Sequence, residues 1–354
     1  MTILTSSGVS RDFKVGGQPV FAPPRRLRAL RDVSLTLERG DIVGVVGERG
    51  CGKSTLARIA AGPMASSRGQ VWIDDNDLTK VSPAQARVLR RTVQIVHQDP
   101  YVALNPTMTV FQALAYPFKI HHMVPRAYVH ARVVELLQMV GLNGSHLNKY
   151  PNELSGGQRP RVVLARAFTV APEVIVADEA VSAIDVSMRQ SILALMHRIH
   201  DENGTAYLFI THDLRLARYF AQKGSLAVMY AGRVVEYGPT EAINSAPRHP
   251  YTAILRQAVP DPDPEVMRAT VRIPLRSAEL PDLTQDERGC AFQARCPYAA
   301  VQCEEEIPVL RELDTNGRGP VWAACHRAEE LELPREGAGE APPTLASRER
   351  VSPV

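Results

Sequence analysis

The sequence predicts an α/β fold built on a mostly parallel sheet covered by helices. Three observations carry that expectation. Short, almost continuously apolar runs, Ile42 to Val46, Val174 to Ala177, Ala206 to Ile210 and Leu226 to Tyr230, suit strands buried on both faces. Helix-length segments separate them, as parallel strands require. The first run also leads straight into a glycine-rich stretch, the strand-to-helix context in which backbone N–H groups meet phosphate.

Size and composition set limits on the rest. A chain of 354 residues exceeds what one core usually organises, so one large domain with smaller appendages is expected. Hydrophobic residues at 45% and charged residues at 22% are ordinary for a globular protein and argue against wholesale disorder. With 41 basic and 38 acidic residues the net charge is only +3, too little to imply a nucleic-acid partner. No apolar run approaches the roughly 18 residues of a membrane span. Met1 to Phe13 lacks the charged and then apolar pattern of a secretory signal, so a soluble, cytoplasmic chain is expected. Its five cysteines would then sit in a reducing compartment, where metal or reactive roles outrank disulfides.

Within the first 110 residues, Val33 to Glu38 alternates apolar and polar, and Gly69 to Asp74 follows a glycine-marked turn, so both read as strands. The period turns helical between Val110 and Leu142, where Val129, Val133, Leu136 and Val140 form a stripe and Gly141 stands as a C-terminal cap. A helical subdomain over about residues 107–168 is therefore expected inside one large α/β domain of residues 1–258. Alternating prolines from Pro260 to Pro264 read as an extended linker opening a small extension, 259–332, with four of the cysteines. A Pro/Glu/Ala-rich tail, 333–354, is expected to be disordered.

Gly47-Glu48-Arg49-Gly50-Cys51-Gly52-Lys53-Ser54-Thr55 matches the phosphate-loop pattern with complete spacing. Its glycines let backbone N–H groups face a phosphate, the following helix offers its positive end, and Lys53 adds a point charge. Ser54 is the expected magnesium ligand. A glycine-rich turn with a chance lysine is the alternative, which the strand before it disfavours. Asp178 and Glu179 close the apolar run Val174 to Ala177 and would stand at the sheet's C-terminal edge. There Asp178 would hold magnesium and Glu179 would act as general base, although an Asp-Glu pair alone is more often a solvated helix start. Cys51, beside Lys53 at a helix N-terminus, is expected to favour thiolate and react with maleimide, unless it is simply a small residue that fits the loop.

Between these motifs lies Leu154-Ser155-Gly156-Gly157-Gln158-Arg159, which resembles the signature of the ABC ATPases. The resemblance implies a P-loop NTPase core in which the signature residues Ser155, Gly156, Gly157 and Gln158 of one chain meet the γ-phosphate of ATP bound by another. It also implies that Gln98 senses magnesium at the junction with the helical insertion, that His212 is a switch residue touching the γ-phosphate, and that Ser182 to Asp185 form a dimer-contact loop. Phe13 would stack on adenine, a core or loop aromatic being the alternative.

Asp99-Pro100-Tyr101, Leu104-Asn105-Pro106, Val181-Ser182-Ala183 and His249-Pro250-Tyr251-Thr252 are similar to segments of the dipeptide and oligopeptide importers, a resemblance covering about residues 4 to 328. It implies a peripheral subunit at the cytoplasmic membrane face, paired with a second related ATPase under two permease subunits, with an extracytoplasmic peptide-binding protein delivering cargo. Nickel, glutathione or antimicrobial peptide remain open as cargo, and a soluble ABC ATPase without a membrane partner is the reading from another class. Arg49 stands where the family usually has serine, Ala180 for proline, Ile184 for leucine, His97 for phenylalanine and Pro160 for glutamine. The spacing of Cys290, Cys296, Cys303 and Cys325 lacks the short pairs usual for structural zinc, and Cys296-Pro297 occurs as at some ferredoxin sites. With the importer resemblance this gives the expectation of one iron–sulfur cluster, 4Fe-4S, with zinc or free thiols as alternatives.

Overall fold

The computed structural model describes residues 1–16, 25–259, 272–285, 288–314 and 319–334. The prolines from 260 to 264 and the tail beyond residue 334 lie outside these residues.

Two sheets organise the chain. The first is antiparallel: β1 (Thr2–Lys14) lies between β2 (Arg26–Glu38) and β4 (Arg68–Ile73), with the two-residue β5 (Asn76–Asp77) at the edge beyond β4. The second has eight strands. Its centre is β3 (Ile42–Val46), flanked by β8 (Ala206–Ile210) and then β7 (Val174–Asp178) and β6 (Val93–Val96) on one side. On the other side stand β9 (Ser225–Tyr230), β10 (Arg233–Pro239), β12 (Val321–Ala323) and β11 (Arg311–Leu313). From β6 to β9 all pairs are parallel, whereas β9 to β11 are antiparallel. The sheet thus runs without a break from the strand before the glycine-rich loop into two strands of the C-terminal extension.

The central strands read as continuous apolar runs because both their faces are covered. Alternate residues diverge: Ile175, Ala177, Tyr207 and Phe209 enter a core shared with Leu114, Val133, Val162 and Ile192. Val174, Val176, Leu208 and Ile210 enter a second core with Leu56, Ile59 and the inner residues of β1 and β2. The helical insertion contributes the helices Val110–His121, Val129–Met139 and Gln158–Ala167, and Gly141 follows the second of them at φ +73°. Among the described residues no helix is long and apolar enough to cross a membrane.

A third core joins the sheet to the extension, with Val46, Val228, Tyr230, Tyr251, Phe292 and Cys296 in contact. It is braced by a buried polar knot. Glu236 of β10, fully buried, accepts the backbone N–H groups of Arg248 (2.7 Å) and His249 (3.0 Å). His249 in turn caps the helix Pro250–Gln257, its Nδ1 accepting from Tyr251 N–H at 3.0 Å. Burial drives the His249 imidazole down to about 3, so it stays neutral and keeps an acceptor.

Burial also pushes the Glu236 carboxyl up to about 7 from 4.5, against the N–H groups that favour its charge. Between those values the Glu236 carboxyl holds a proton in the folded chain that the unfolded chain has released, so its own contribution to stability falls as pH rises from about 4.5 to about 7, while that of His249, neutral when folded, rises up to its ordinary 6.5. Glu236's loss is complete above that window and amounts to at most about 3 to 4 kcal/mol. Glu236→Gln should remove the falling contribution and leave the rise up to about 6.5 that His249 supplies. Urea midpoints taken across the window on both proteins check it, and parallel profiles would count against the assignment.

Candidate nucleotide site

The site follows from three neighbouring strands ending at one level. Register pairs Val45 with Ile210 and Ile210 with Asp178, so the segments leaving β3, β8 and β7 emerge side by side at the sheet's C-terminal edge. Those segments are Gly47 to Gly52, Thr211-His212-Asp213 and Glu179 to Ile184.

The loop after β3 needs glycine for space. A Cβ on Gly47 would lie 2.1 Å from Met229 O, and one on Gly52, at φ +105°, would lie 2.3 Å from Ala29 O. The loop ends in the helix Lys53–Ala60. Lys53 is 5% exposed, and its ammonium donates to the carbonyls of Gly47 (2.7 Å) and Glu48 (2.9 Å), which places its charge in the hollow of the loop. Ser54 and the half-buried Thr55 open the helix, and Ser54 Oγ donates to Asp178 Oδ1 at 3.0 Å. Asp178 is buried, which pushes its carboxyl up despite the Ser54 bond.

Glu179 turns away from the strand at φ +50°, a conformation uncommon for a residue with a side chain. Its N–H donates to Ile210 O at 2.9 Å, tying it to β8, and its Oε1 stands 3.2 Å from His212 Nδ1. The Ser182 hydroxyl donates to Glu179 O at 2.8 Å and starts the following loop. Arg189 holds that loop by donating to the carbonyls of Ile184 (2.8 Å) and Ser182 (3.0 Å), and exposed Asp185 precedes the helix Val186–Asn203. A cavity of about 230 Å³ is lined by Arg49, Gln98, Ser182, Arg189, Thr211 and His212 among others. Gln98 is thereby brought to the His212 side of the site, and Arg49 projects into the same space.

Ser155 and Gly156 are exposed at the start of the helix Gln158–Ala167. The Ser155 hydroxyl accepts from Gln158 N–H (3.3 Å) and Gln158 Oε1 accepts from Ser155 N–H (3.0 Å), a reciprocal cap. Pro160 falls in the first turn, where its missing donor costs no helical bond. Buried Arg159 donates to the carbonyls of Pro151 (2.8 Å) and Leu154 (3.2 Å), bracing the turn from below. Phe13 is half-buried near the end of β1, paired with Leu27, with the Arg11 guanidinium 4.9 Å from its ring centre.

Arg189 did not stand out in the sequence, and Arg159 appeared there only as the end of the signature segment with no task of its own, because both act by donating to loop carbonyls, and any surface arginine looks the same. Glu48 is held by Arg295, far downstream, and no pattern in the sequence connects the two.

Two expectations about cysteine need correction. Cys51 is 5% exposed, and burial pushes its thiol up in spite of the neighbouring ammonium. A thiolate poised for reaction is not what the loop holds; the residue fills space against Gly47. The cysteines of the extension do line one cavity, with Phe292 and Tyr298. Yet among the described residues no group of three or more His, Cys, Asp or Glu is placed to hold a metal ion, so the expected iron–sulfur cluster is not supported. Burial instead pushes Cys296 up to about 11 and Cys325 up to about 12, the range of neutral thiols. Cys296 packs into the core of Tyr251 and Phe292, and Cys325 into that of Leu313, Ala323 and Ala328, as small apolar residues.

Comparison with known proteins agrees with this geometry. Residues 30–182 match the family model described as ABC transporter, and residues 235–303 match that described as oligopeptide/dipeptide transporter, C-terminal region. The chain is 40% identical over 330 residues to the di/tripeptide transport ATP-binding protein DppF of Pseudomonas aeruginosa, covering 93% of this chain and 99% of that one. It is 39% identical over 300 residues to the oligopeptide transport ATP-binding protein OppF of Salmonella typhimurium (84% and 89% covered). To the dipeptide transport ATP-binding protein DppF of Escherichia coli it is 38% identical over 316 residues (89% and 92%). These relatives are named for ATP binding and peptide transport, and none of the three for a cluster. A dimeric ATP-binding cassette in a post-hydrolysis state, bound to ADP and Pi, superposes with TM-score 0.58 at 26% identity, covering 67% of this chain and 99% of that one.

Short exposure of the native chain to maleimide should leave Cys51 largely unmodified, whereas in denaturant it should label fully. Mass mapping of the peptide checks this, and rapid native labelling would restore the reactive thiol.

Proposed function

This chain belongs to the ATP-binding proteins of dipeptide and oligopeptide ABC transporters, ATPases coupled to transport, and we propose that its own site hydrolyses ATP between two such subunits to drive peptide import. The carrying observation is the cluster at the three strand ends: Ser54 on Asp178, and Glu179 within 3.2 Å of His212.

Lys53 and the loop N–H groups bind the phosphates of ATP. Magnesium fits the donor set, because a hydroxyl, a carboxylate and an amide carbonyl, from Ser54, Asp178 and Gln98, are the hard oxygen ligands it takes, with phosphates supplying the rest. When bound it would neutralise charge on the phosphate oxygens. Glu179 takes a proton from the attacking water, and His212, beside it, faces the γ-phosphate. The exposed Ser155-Gly156 turn supports completion of the site by a partner, since a helix N-terminus there is free to meet an anion bound by another chain. We read Ser182 to Asp185 as a contact loop of that dimer, and a related but different ATPase as the partner.

A groove of about 350 Å³ is lined by Gln94, Ile95 and His97 from the core and by Tyr116, Ile120 and His121 from the helical insertion. Tyr116 and Ile120 remain 56% and 50% exposed. Apolar exposure where the core meets the helical insertion supports docking of a permease subunit here, at the cytoplasmic membrane face. An extracytoplasmic binding protein would then select the peptide. Phe13 remains our candidate for the adenine.

Glu179→Gln in the purified transporter should keep ATP bound and lower turnover by about a hundredfold or more. Near-normal phosphate release by that variant would remove Glu179 from the role of base.

A further inference from the structure

The phosphate loop is anchored by residues that follow it by more than two hundred positions. Glu48 is held at two points: its N–H donates to the Tyr251 hydroxyl at 2.8 Å, and its carboxylate takes both arms of the Arg295 guanidinium, at 2.8 and 3.0 Å. From these contacts we propose that Arg295, in the C-terminal extension, is a positioning residue for ATP binding, acting on Lys53 through Glu48. The inference rests on the reading of residues 47–55 as the ATP phosphate loop.

The connection to Lys53 is short. Glu48 presents its own carbonyl to the Lys53 ammonium at 2.9 Å, so a displacement of Glu48 moves one of the two carbonyls that set where that charge sits. Arg295 is itself rigidly placed. Its side chain is 9% exposed, lies over the rings of Tyr230 (5.7 Å) and Phe292 (5.8 Å), and donates to the Tyr230 hydroxyl at 3.3 Å. Tyr230, Tyr251 and Phe292 pack on one another with centroids 4.6 to 5.5 Å apart, which keeps water from one side of the ion pair. A two-armed pair against aromatic walls differs from an exposed ion pair, whose strength is largely lost to solvent. The backbone of Arg295 is tied as well, its N–H donating to Phe292 O and its carbonyl accepting from Arg276 N–H, both at 3.0 Å. Docking of residues 290–298 and the shape of the loop are therefore one equilibrium. Linkage makes the effect mutual: what docks the extension favours ATP, and ATP favours docking.

A purely architectural Arg295 would pin the extension and leave nucleotide affinity alone, so affinity and stability must be read separately. The test uses the full-length chain, a fluorescent ATP analogue with magnesium, and thermal melting. Arg295→Lys keeps the charge and loses the fork; with Arg295→Met and Glu48→Gln it should weaken analogue binding by on the order of tenfold. The double variant Glu48→Gln/Arg295→Met should lose no more than the weaker-binding single variant, since both remove one interaction. Magnesium and ATP should slow hydrogen exchange over residues 290–298 in the parent chain, and do so less in Glu48→Gln. Should Arg295→Met fail to fold, Arg295→Lys and Glu48→Gln carry the same comparison. Variants that melt earlier yet bind the analogue like the parent would overturn the proposal, as would additive losses in the double variant. Lys53→Ala serves as control: if it too binds like the parent, the phosphate-loop reading fails along with this inference, whereas loss confined to Lys53→Ala sinks the inference alone.

Discussion

Three adjacent parallel strands must finish level, and every feature of the site depends on that register. With β3, β8 and β7 as neighbours, a shift of one residue in either pairing would turn Asp178 to the opposite face and take its carboxylate from Ser54. The register is held by burial on both faces, because a slip would exchange the side chains of two differently shaped cores. Chemistry at the edge is in this sense set by packing at the centre. The positive φ of Glu179 fits the same account: its N–H is bonded to Ile210 O, so the neighbouring strand holds a backbone turn that the residue alone would rarely adopt.

How much of this was legible in the sequence depended on whether the signal was local. The buried strands announced themselves as apolar runs, and the loop Gly47 to Thr55 carries its meaning in consecutive residues. The helices of the insertion were visible through the stripe from Val129 to Val140, closed by Gly141. Elements whose reasons lie elsewhere in the chain were harder to see. β1 mixes serine, glycine and charged residues and breaks register with β2 at several bulges, so no clean alternation marks it. β11 and β12 have three residues each, too few for any period, and exist because β10 offers an edge.

Cysteine misled for a physical reason. Residue type suggested reactivity at Cys51 and metal chemistry in the extension, but a thiol's behaviour is set by its surroundings. At Cys51 the cost of desolvation outweighs the nearby charge of Lys53, so a neighbour read from sequence proved the lesser influence. Cys296 and Cys325 show the same balance, packed beside aromatic and aliphatic side chains in two separate cores. Depth, which a linear reading does not supply, decided both cases.

The contact between Glu48 and Arg295 spans 247 residues, and that separation has a meaning during biosynthesis. A ribosome adding roughly 5–20 residues per second needs on the order of ten to fifty seconds to travel from one to the other. The sheet cannot gain its last two strands any sooner, since β11 and β12 lie later still. A nascent chain therefore carries its phosphate loop for most of its translation without the clamp that completes it. A product cut short before Arg295 would lack that ion pair permanently, so the loop cannot take its final contacts until residue 295 has been made.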